Sequence, residues 1–121
     1  MSVVIATWMA VSTAYCCLGV GGGYCHRTAS GAQVTEGQVA APRSIPFGTL
    51  LAVEGYAPPE QPAVVTDRGS DIGEGRIDVF FWQCRDAWRW GRRRTQVQRI
   101  AWVDVPAEPD EAPAEDAEVG E

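Results

Sequence analysis

Short apolar runs separated by turn-forming residues recur along the middle of the chain. Clusters of glycine, proline and aspartate lie between these runs and interrupt any longer periodicity. Short strands at close spacing with turn residues between them favour a small barrel or sandwich over a parallel α/β sheet. The pattern therefore predicts strands at four places, which are Thr49–Val53, Ala63–Thr66, Ile77–Phe81 and Val97–Val103.

The beginning of the chain alternates in side-chain size, as a β-strand does when it has one small and one large face. One face carries Trp8, Ala10, Ser12 and Ala14 and is small from Ala10 onward, and the other, larger face carries Met9, Val11, Thr13 and Tyr15. A secretory signal would need a basic segment, an apolar segment and a small-residue cleavage site, and none is convincing in this stretch. We therefore interpret it as a first strand and expect no signal peptide in it.

One helix is predicted after the third of the four runs. Cys84, Ala87, Trp88 and Gly91 fall at helical spacing, and glycine suits the conformation that ends a helix. The same segment supplies arginine and aspartate for an exposed face. The expected fold class is therefore mainly β with one short helix.

The charge of the chain is unevenly distributed. The formal net charge is −6, all ten basic residues are arginines, and seven of the sixteen acids follow Pro106. The length fits one domain, so we expect a single β domain, a small barrel or sandwich, over residues 1–105. Residues 106–121 contain mostly alanine, proline and acids, and such a segment buries too little surface to fold, so we expect a disordered acidic tail there.

Two classes of partner fit this composition poorly. No run approaches the roughly 20 apolar residues of a membrane span, so we expect no membrane partner. Arg92, Arg93 and Arg94 form a basic run, but the body of the chain is close to neutral without the tail. The negative end of the preceding helix explains arginines at this place, so we expect no nucleic-acid partner.

Two aspartates stand out in the strand pattern. Asp67 ends an apolar run just before a glycine turn, and Asp78 lies inside the run between Ile77 and Val79. A carboxylate flanked by large apolar residues is either satisfied by backbone donors or held neutral with a raised pKa. A raised pKa is what a general acid needs at neutral pH. The alternative is a structural carboxylate that caps a turn or pairs with a neighbouring arginine.

Eight short elements in order, with barrel-sized gaps, resemble the three-aspartate (3D) domain family. They are Ser12–Cys16, Thr28–Gly31, Val39–Pro42, Ile45–Thr49, Gly55–Tyr56, Thr66–Gly69, Gly75–Phe80 and the segment from Ala87 to Arg93. This resemblance covers nearly the whole body of the chain. It implies a six-stranded double-psi β-barrel of the type found in membrane-bound lytic transglycosylase A.

The resemblance also implies an activity, which is cleavage of peptidoglycan glycan strands with formation of a 1,6-anhydro sugar. Asp78 would act as the catalytic acid and then as the base, and Asp67 would support it. Neither a metal nor another cofactor is implied, and the expected protein is an extracytoplasmic monomer that binds peptidoglycan strands. The expected substrate contacts come from Thr13, Tyr15, Thr49, Arg68, Gly69, Trp82 and Trp90.

The sequence departs from the family pattern at one aspartate. The first of the three family aspartates falls on Ala41, so only two are present. A related barrel, that of rare lipoprotein A and expansin-like proteins, shares several of the same elements. A non-catalytic barrel that binds wall polysaccharide is therefore the alternative function. A protein-interaction module that recruits a partner through its acidic tail is a third possibility.

Aromatic residues have two uses in such a fold, since they stack on sugars and also fill cores. Trp8, Trp88 and Trp102 lie in apolar patterns and are predicted to be core residues. Trp82 and Trp90 are better candidates for a groove. Tyr15 either lines the cleft or packs under the glycine-rich loop that follows the first strand.

The four cysteines leave three interpretations open. Cys16, Cys17 and Cys25 lie close in sequence beside His26, but their spacing is not that of established zinc sites. A disulfide from Cys25 to Cys16 or Cys17 is favoured if the protein is exported. Reduced thiols, including that of Cys84, are favoured if it stays in the cytoplasm.

Overall fold

The computed structural model describes residues 1–23, 25–69 and 72–103. Within these residues the chain forms a closed six-stranded barrel with one short helix, as the sequence predicts. The elements are β1 (Ser2–Leu18), β2 (Gln38–Ala40), β3 (Leu50–Val53), β4 (Ala63–Asp67), β5 (Arg76–Gln83), α1 (Cys84–Trp90) and β6 (Arg93–Trp102). The expected acidic tail lies outside the described residues.

The strands follow the order β1-β5-β2-β4-β3-β6 around the barrel. β1 pairs with β5 and β2 pairs with β4 in parallel, whereas the other four neighbouring pairs are antiparallel. The long strand β1 pairs with β6 over its first part and with β5 from Val11 onward. This arrangement brings the second half of β1 beside β5, where Asp78 lies.

The core of the barrel is built from small and β-branched residues. Val39, Val65, Val79 and Val97 are fully buried together with Leu51, and Ala10 on β1 packs against them. Branched side chains suit the pleated, half-buried surface of a strand. The small face predicted for β1 is thus the face that enters the crowded interior.

A group of buried polar atoms lies where α1 packs on the barrel, and we call it the helix-side cluster. It consists of Ser12, Thr95 and Trp90. The Ser12 and Thr95 hydroxyl oxygens are 2.6 Å apart, and the Trp90 indole N–H donates to Ser12 Oγ at 3.1 Å. Because these polar groups satisfy one another, they can be buried at little cost.

The positions of three tryptophans correct the sequence predictions. Trp90, predicted for a groove, is 6% exposed and packs in the core. Trp88 and Trp102, predicted for the core, are 67% and 65% exposed. The buried face of α1 runs through Cys84, Ala87 and Trp90, so the helix presents Trp88 to solvent. Trp102 pairs with Ser2 at the outer end of the β1–β6 ribbon, where the other strands do not cover it.

Two disulfides involve all four cysteines. Cys17 is bonded to Cys25, which is one of the pairings that the sequence left open, and Cys16 is bonded to Cys84 at the start of α1. Sulfurs in disulfides are not available as thiolate ligands. The cysteines therefore hold β1 to the helix and to the loop that follows β1.

No helix in the described part of the chain is long and apolar enough to cross a membrane.

Candidate active site

The two predicted aspartates lie in one row of residues that crosses four neighbouring strands. Thr13 on β1 pairs with Asp78 on β5, Asp78 pairs with Ala40 on β2, and Ala40 pairs with Asp67 on β4. We call these four residues the carboxylate row. Neighbouring strands are about 4.8 Å apart, so the two aspartate backbones are separated by about two strand spacings. The small Ala40 side chain lies between them.

Asp67 is held by donors from three parts of the chain. It is 5% exposed. Its Oδ1 accepts hydrogen bonds from the backbone N–H groups of Ala29 at 3.0 Å and Arg68 at 2.9 Å. The Tyr15 hydroxyl donates to its Oδ2 at 3.5 Å. These donors fix the orientation of the Asp67 carboxylate, and they tie the loop containing Ala29 to the end of β4.

Asp78 has a different environment, because it is half-buried and accepts one side-chain hydrogen bond, from Thr13 Oγ1 at 3.0 Å. Burial raises the pKa of Asp78 to about 6 and outweighs the Thr13 hydroxyl and the charge of Arg76, which both lower it. The negative charge of Asp67 raises this pKa further. The Asp78 carboxyl can therefore both donate and accept a proton near neutral pH.

Tyr15 lies near both aspartates and hydrogen-bonds to Asp67. Burial and the nearby charges of Asp67 and Asp78 raise the pKa of the Tyr15 hydroxyl, which stays a neutral donor. Its ring packs edge-on against Phe80, with ring centres 5.2 Å apart, in a cluster that includes Cys17. The Tyr15 ring thus packs beside the disulfide-bonded Cys17, and its hydroxyl reaches Asp67 in the carboxylate row. A contact of Tyr15 with substrate stays a prediction.

Arg68 is half-buried at the edge of an open cleft, and its guanidinium bonds to the protein backbone. Its guanidinium donates to the backbone carbonyls of Ile45 at 2.7 Å, Asp67 at 3.1 Å and Ala41 at 3.3 Å. It also lies over the Phe47 ring, 4.1 Å from its centre. We therefore interpret Arg68 as a residue that holds the loop between β2 and β3 in place, next to Asp67.

Four other predicted substrate contacts have different surroundings. Gly69 is exposed beside Arg68, and a side chain there would meet Ile72 at 2.9 Å. Thr49 is buried and lines a cleft with Phe47 that contains neither aspartate. Trp82 is half-buried on β5 and packs edge-on against Phe80. Trp90 is almost fully buried and packs in the core.

Ala41, at the position where the resemblance leads us to expect the first family aspartate, lies in the core and not in the carboxylate row. Ala41 is fully buried and packs with Val39 and Ile77. Its backbone N–H donates to the Asp67 carbonyl at 3.2 Å. Ala41 therefore contributes to the core through its side chain and to the end of β4 through its backbone.

Sequence reasoning missed two participants in the site. Ala29 acts through its backbone, which carries no side-chain signal, although it lies in one of the family elements. Glu36 accepts a hydrogen bond from the Trp82 backbone N–H at 2.8 Å and so holds its loop against β5. Glu36 lies outside the apolar runs, and its partner is 46 residues away in sequence, so local patterns do not reveal it.

The fold and the carboxylate row define a class of protein. It is a closed six-stranded barrel with two aspartates in one row, one almost fully buried and the other half-buried. The sequence profile of the 3D domain matches residues 38–102, which is more than half of the chain. The chain belongs to the 3D domain family.

Curated and solved relatives are similar to parts of the chain. The protein YabE of Bacillus subtilis (strain 168) is 39% identical over 57 residues. Its proposed role is cell wall shaping. Two structures of the E. coli lytic transglycosylase MltA superpose with TM-scores of 0.51 and 0.50 at 22% and 20% identity, over 64% of this chain. The chain spans 13% of YabE and 28% of MltA, and the structural likeness shows a shared barrel fold.

Proposed function

We propose that this chain cleaves peptidoglycan glycan strands as a lytic transglycosylase, with Asp78 as the acid and base. The observation that carries the proposal is the Asp78 carboxyl, half-buried in the carboxylate row, with a pKa of about 6. Membership in the 3D domain family and the described roles of MltA and YabE support it. The same relatives favour an extracytoplasmic location, where the two disulfides would be stable.

One carboxyl group suffices for both steps of this reaction. Protonated Asp78 gives its proton to the glycosidic oxygen as the bond from that oxygen to the sugar C1 breaks. The resulting Asp78 carboxylate then takes the proton of the sugar's own C6 hydroxyl, whose oxygen attacks C1 and closes a 1,6-anhydro ring. No water is consumed, so the second carboxylate that a hydrolytic glycosidase uses is not required.

Asp67 and Thr13 have positioning roles in this proposal. The charge of Asp67 raises the pKa of Asp78 and so favours its proton-carrying form. The Thr13 hydroxyl fixes the rotation of the Asp78 carboxyl through the bond to Oδ1. Tyr15, as a neutral donor near both carboxylates, restrains Asp67.

Digestion of purified wall sacculi tests the proposal. We expect the wild-type chain to release muropeptides with 1,6-anhydro ends, detected by mass spectrometry. Asp78→Asn should lose about 10²- to 10⁴-fold in rate, which is the usual contribution of general acid catalysis. The matched control is Asp86→Asn on α1, where the carboxylate pairs with Arg85 and Arg89 at the surface and the rate should not change.

The other outcomes separate the alternatives. Release of reducing ends without anhydro products would indicate a hydrolase. Binding to sacculi with no cleavage products would contradict the proposal and favour the non-catalytic wall-binding barrel, which the replacement of an aspartate by Ala41 suggests.

A further inference from the structure

A polar cleft lies at the start of β5, where Arg76 precedes Asp78 of the carboxylate row by two residues, and we call it the arginine cleft. It encloses about 330 Å³, and its walls include Trp8, Ser44, Ile45, Glu74, Arg76 and Arg99. It belongs to a different part of the barrel from the helix-side cluster, because Trp8 precedes Ser12 by four residues along β1.

The charges of this cleft are not balanced within the protein. Arg76 and Arg99 form no ion pair within the described residues, where the salt bridges are those of Arg85 and Arg89 with Asp86. The Nε of Arg76 is buried and has no hydrogen-bond partner there. Placing a cation in partly apolar surroundings without an acceptor costs free energy. Glu74 is the one acidic residue in the wall, so an anion entering the cleft still meets an excess of positive charge.

The cleft begins close to the proposed catalytic group. Arg76 and Asp78 are two residues apart on β5 and therefore project from the same face of the strand. Two residues of a strand span about 7 Å. The positive charge of Arg76 reaches the Asp78 carboxyl, as its effect on that group shows. A ligand bound at Asp78 can thus extend an acidic substituent towards the end of the cleft that Arg76 forms, and a longer substituent further along the cleft towards Arg99.

Peptidoglycan offers such a substituent on only one of its two sugars. The muramic acid carries a lactyl ether on C3, which ends either in a free carboxylate or in a peptide with carboxylates of its own. The glucosamine has a hydroxyl at the same position. The methyl groups of the lactyl ether or of an alanine would contact the apolar wall that Trp8 and Ile45 form.

We propose that the arginine cleft is a subsite for the carboxylate of the muramic acid substituent, and that it sets which sugar precedes the cleaved bond. The inference rests on the proposed function for the identity of the polymer. Arg99 is the residue that tests it most cleanly, because Arg76 also acts on Asp78.

The experiment measures binding and does not require cleavage. The full chain is titrated with N-acetylmuramic acid, N-acetylglucosamine and a muramoyl dipeptide, and amide shifts are followed by NMR. We expect the acidic muramic compounds to bind about tenfold more tightly than N-acetylglucosamine, which is the usual effect of a hydrogen bond to a charged group. Preference for the muramic acid identifies the lactyl carboxylate as the ligand, and preference for the dipeptide alone identifies the peptide carboxylate.

Substitutions test whether the arginine cleft causes the tighter binding of the acidic muramic compounds. Arg99→Gln should abolish it, Arg99→Lys should keep it, and Arg92→Gln, which removes one exposed charge elsewhere, should also keep it. Equal affinity for the three compounds in the wild-type chain would overturn the inference, and so would an unchanged preference in Arg99→Gln. Because the readout is binding, a preference found without any cleavage of sacculi would support the subsite and count only against the proposed activity.

Discussion

The helix-side cluster and the carboxylate row both place polar groups in the wall of an apolar barrel, but they satisfy them differently. In the cluster, Ser12 and Thr95 are almost fully buried and bond to each other, and the Trp90 N–H completes the group. In the row, Asp67 receives three donors, whereas the half-buried Asp78 receives one side-chain donor.

This difference distinguishes polar groups that stabilise the fold from polar groups that can take part in a reaction. The polar groups of the helix-side cluster are neutral and satisfy one another. Their hydrogen bonds therefore stabilise the packing of α1 on the barrel. Burial destabilises the charged form of the Asp78 carboxyl and so raises its pKa. A carboxyl with a raised pKa can transfer protons near neutral pH. Three substitutions test this division.

Ser12→Ala should have the largest effect on stability. It removes the acceptor of the Trp90 N–H and the partner of the Thr95 hydroxyl, both buried, and we expect a loss of about 3 kcal/mol in the free energy of unfolding. The rate of sacculus digestion per folded molecule should not change. Urea denaturation measures the loss, and Ser12→Ala with Thr95→Val should cost less than the sum of the single changes. Loss of activity at unchanged stability would contradict a structural role.

Asp78→Asn should stabilise the folded chain at neutral pH. Folding raises the pKa of Asp78 from 3.8 to about 6, so the folded state binds more protons than the unfolded state between these values. Asp78 therefore lowers the stability of the wild type as the pH rises through this window, and the variant lacks this contribution. Allowing for partial exposure, we expect the variant to be more stable by about 2 kcal/mol above pH 7 and equal below about pH 4.

Denaturation at several pH values measures this difference. Asp86→Asn, at the surface of α1, should show no comparable gain at any pH. A gain of the same size for both variants would indicate a general charge effect and would remove the distinction between Asp78 and an ordinary surface carboxylate.

Thr13→Val should have the smallest effect. The Thr13 hydroxyl lowers the pKa of Asp78, so its loss moves this pKa upward and shifts the descending limb of the pH–activity profile to higher pH. We expect a five- to tenfold lower rate at the original optimum, which is equivalent to about 1 kcal/mol for one hydrogen bond. Thr7→Val, at an exposed position on the same strand, is the control. An unshifted profile in Thr13→Val would mean that the bond to Asp78 is not used.

Much of the barrel could be predicted because its strands have clear local patterns. The four apolar runs became β3, β4, β5 and β6, and the alternation at the beginning of the chain became β1. The unusual environment of Asp78 was also predictable, since Ile77 and Val79 on either side of it enter the core. β2 has three residues, which is too short for an alternating pattern to be recognised.

The remaining features depend on contacts between distant parts of the chain. The carboxylate row exists only because the registers of β1, β5, β2 and β4 align, and single-strand patterns do not encode register between strands. The Cys16–Cys84 disulfide joins residues 68 apart. In the seven-residue helix, Trp88 and Trp90 offered two possible buried faces, and packing against Ser12 selected Trp90.

The pKa of the Asp78 carboxyl is the most direct test of this account, and ¹³C NMR of the aspartate carboxyl carbons measures it. We predict a titration with a pKa of about 6 in the wild-type chain. We also predict a lower value in Asp67→Asn, because that variant removes a charge that raises it. Ionisation of Asp78 near its ordinary value of 3.8, unchanged by Asp67→Asn, would contradict the assignment of Asp78 as the proton donor.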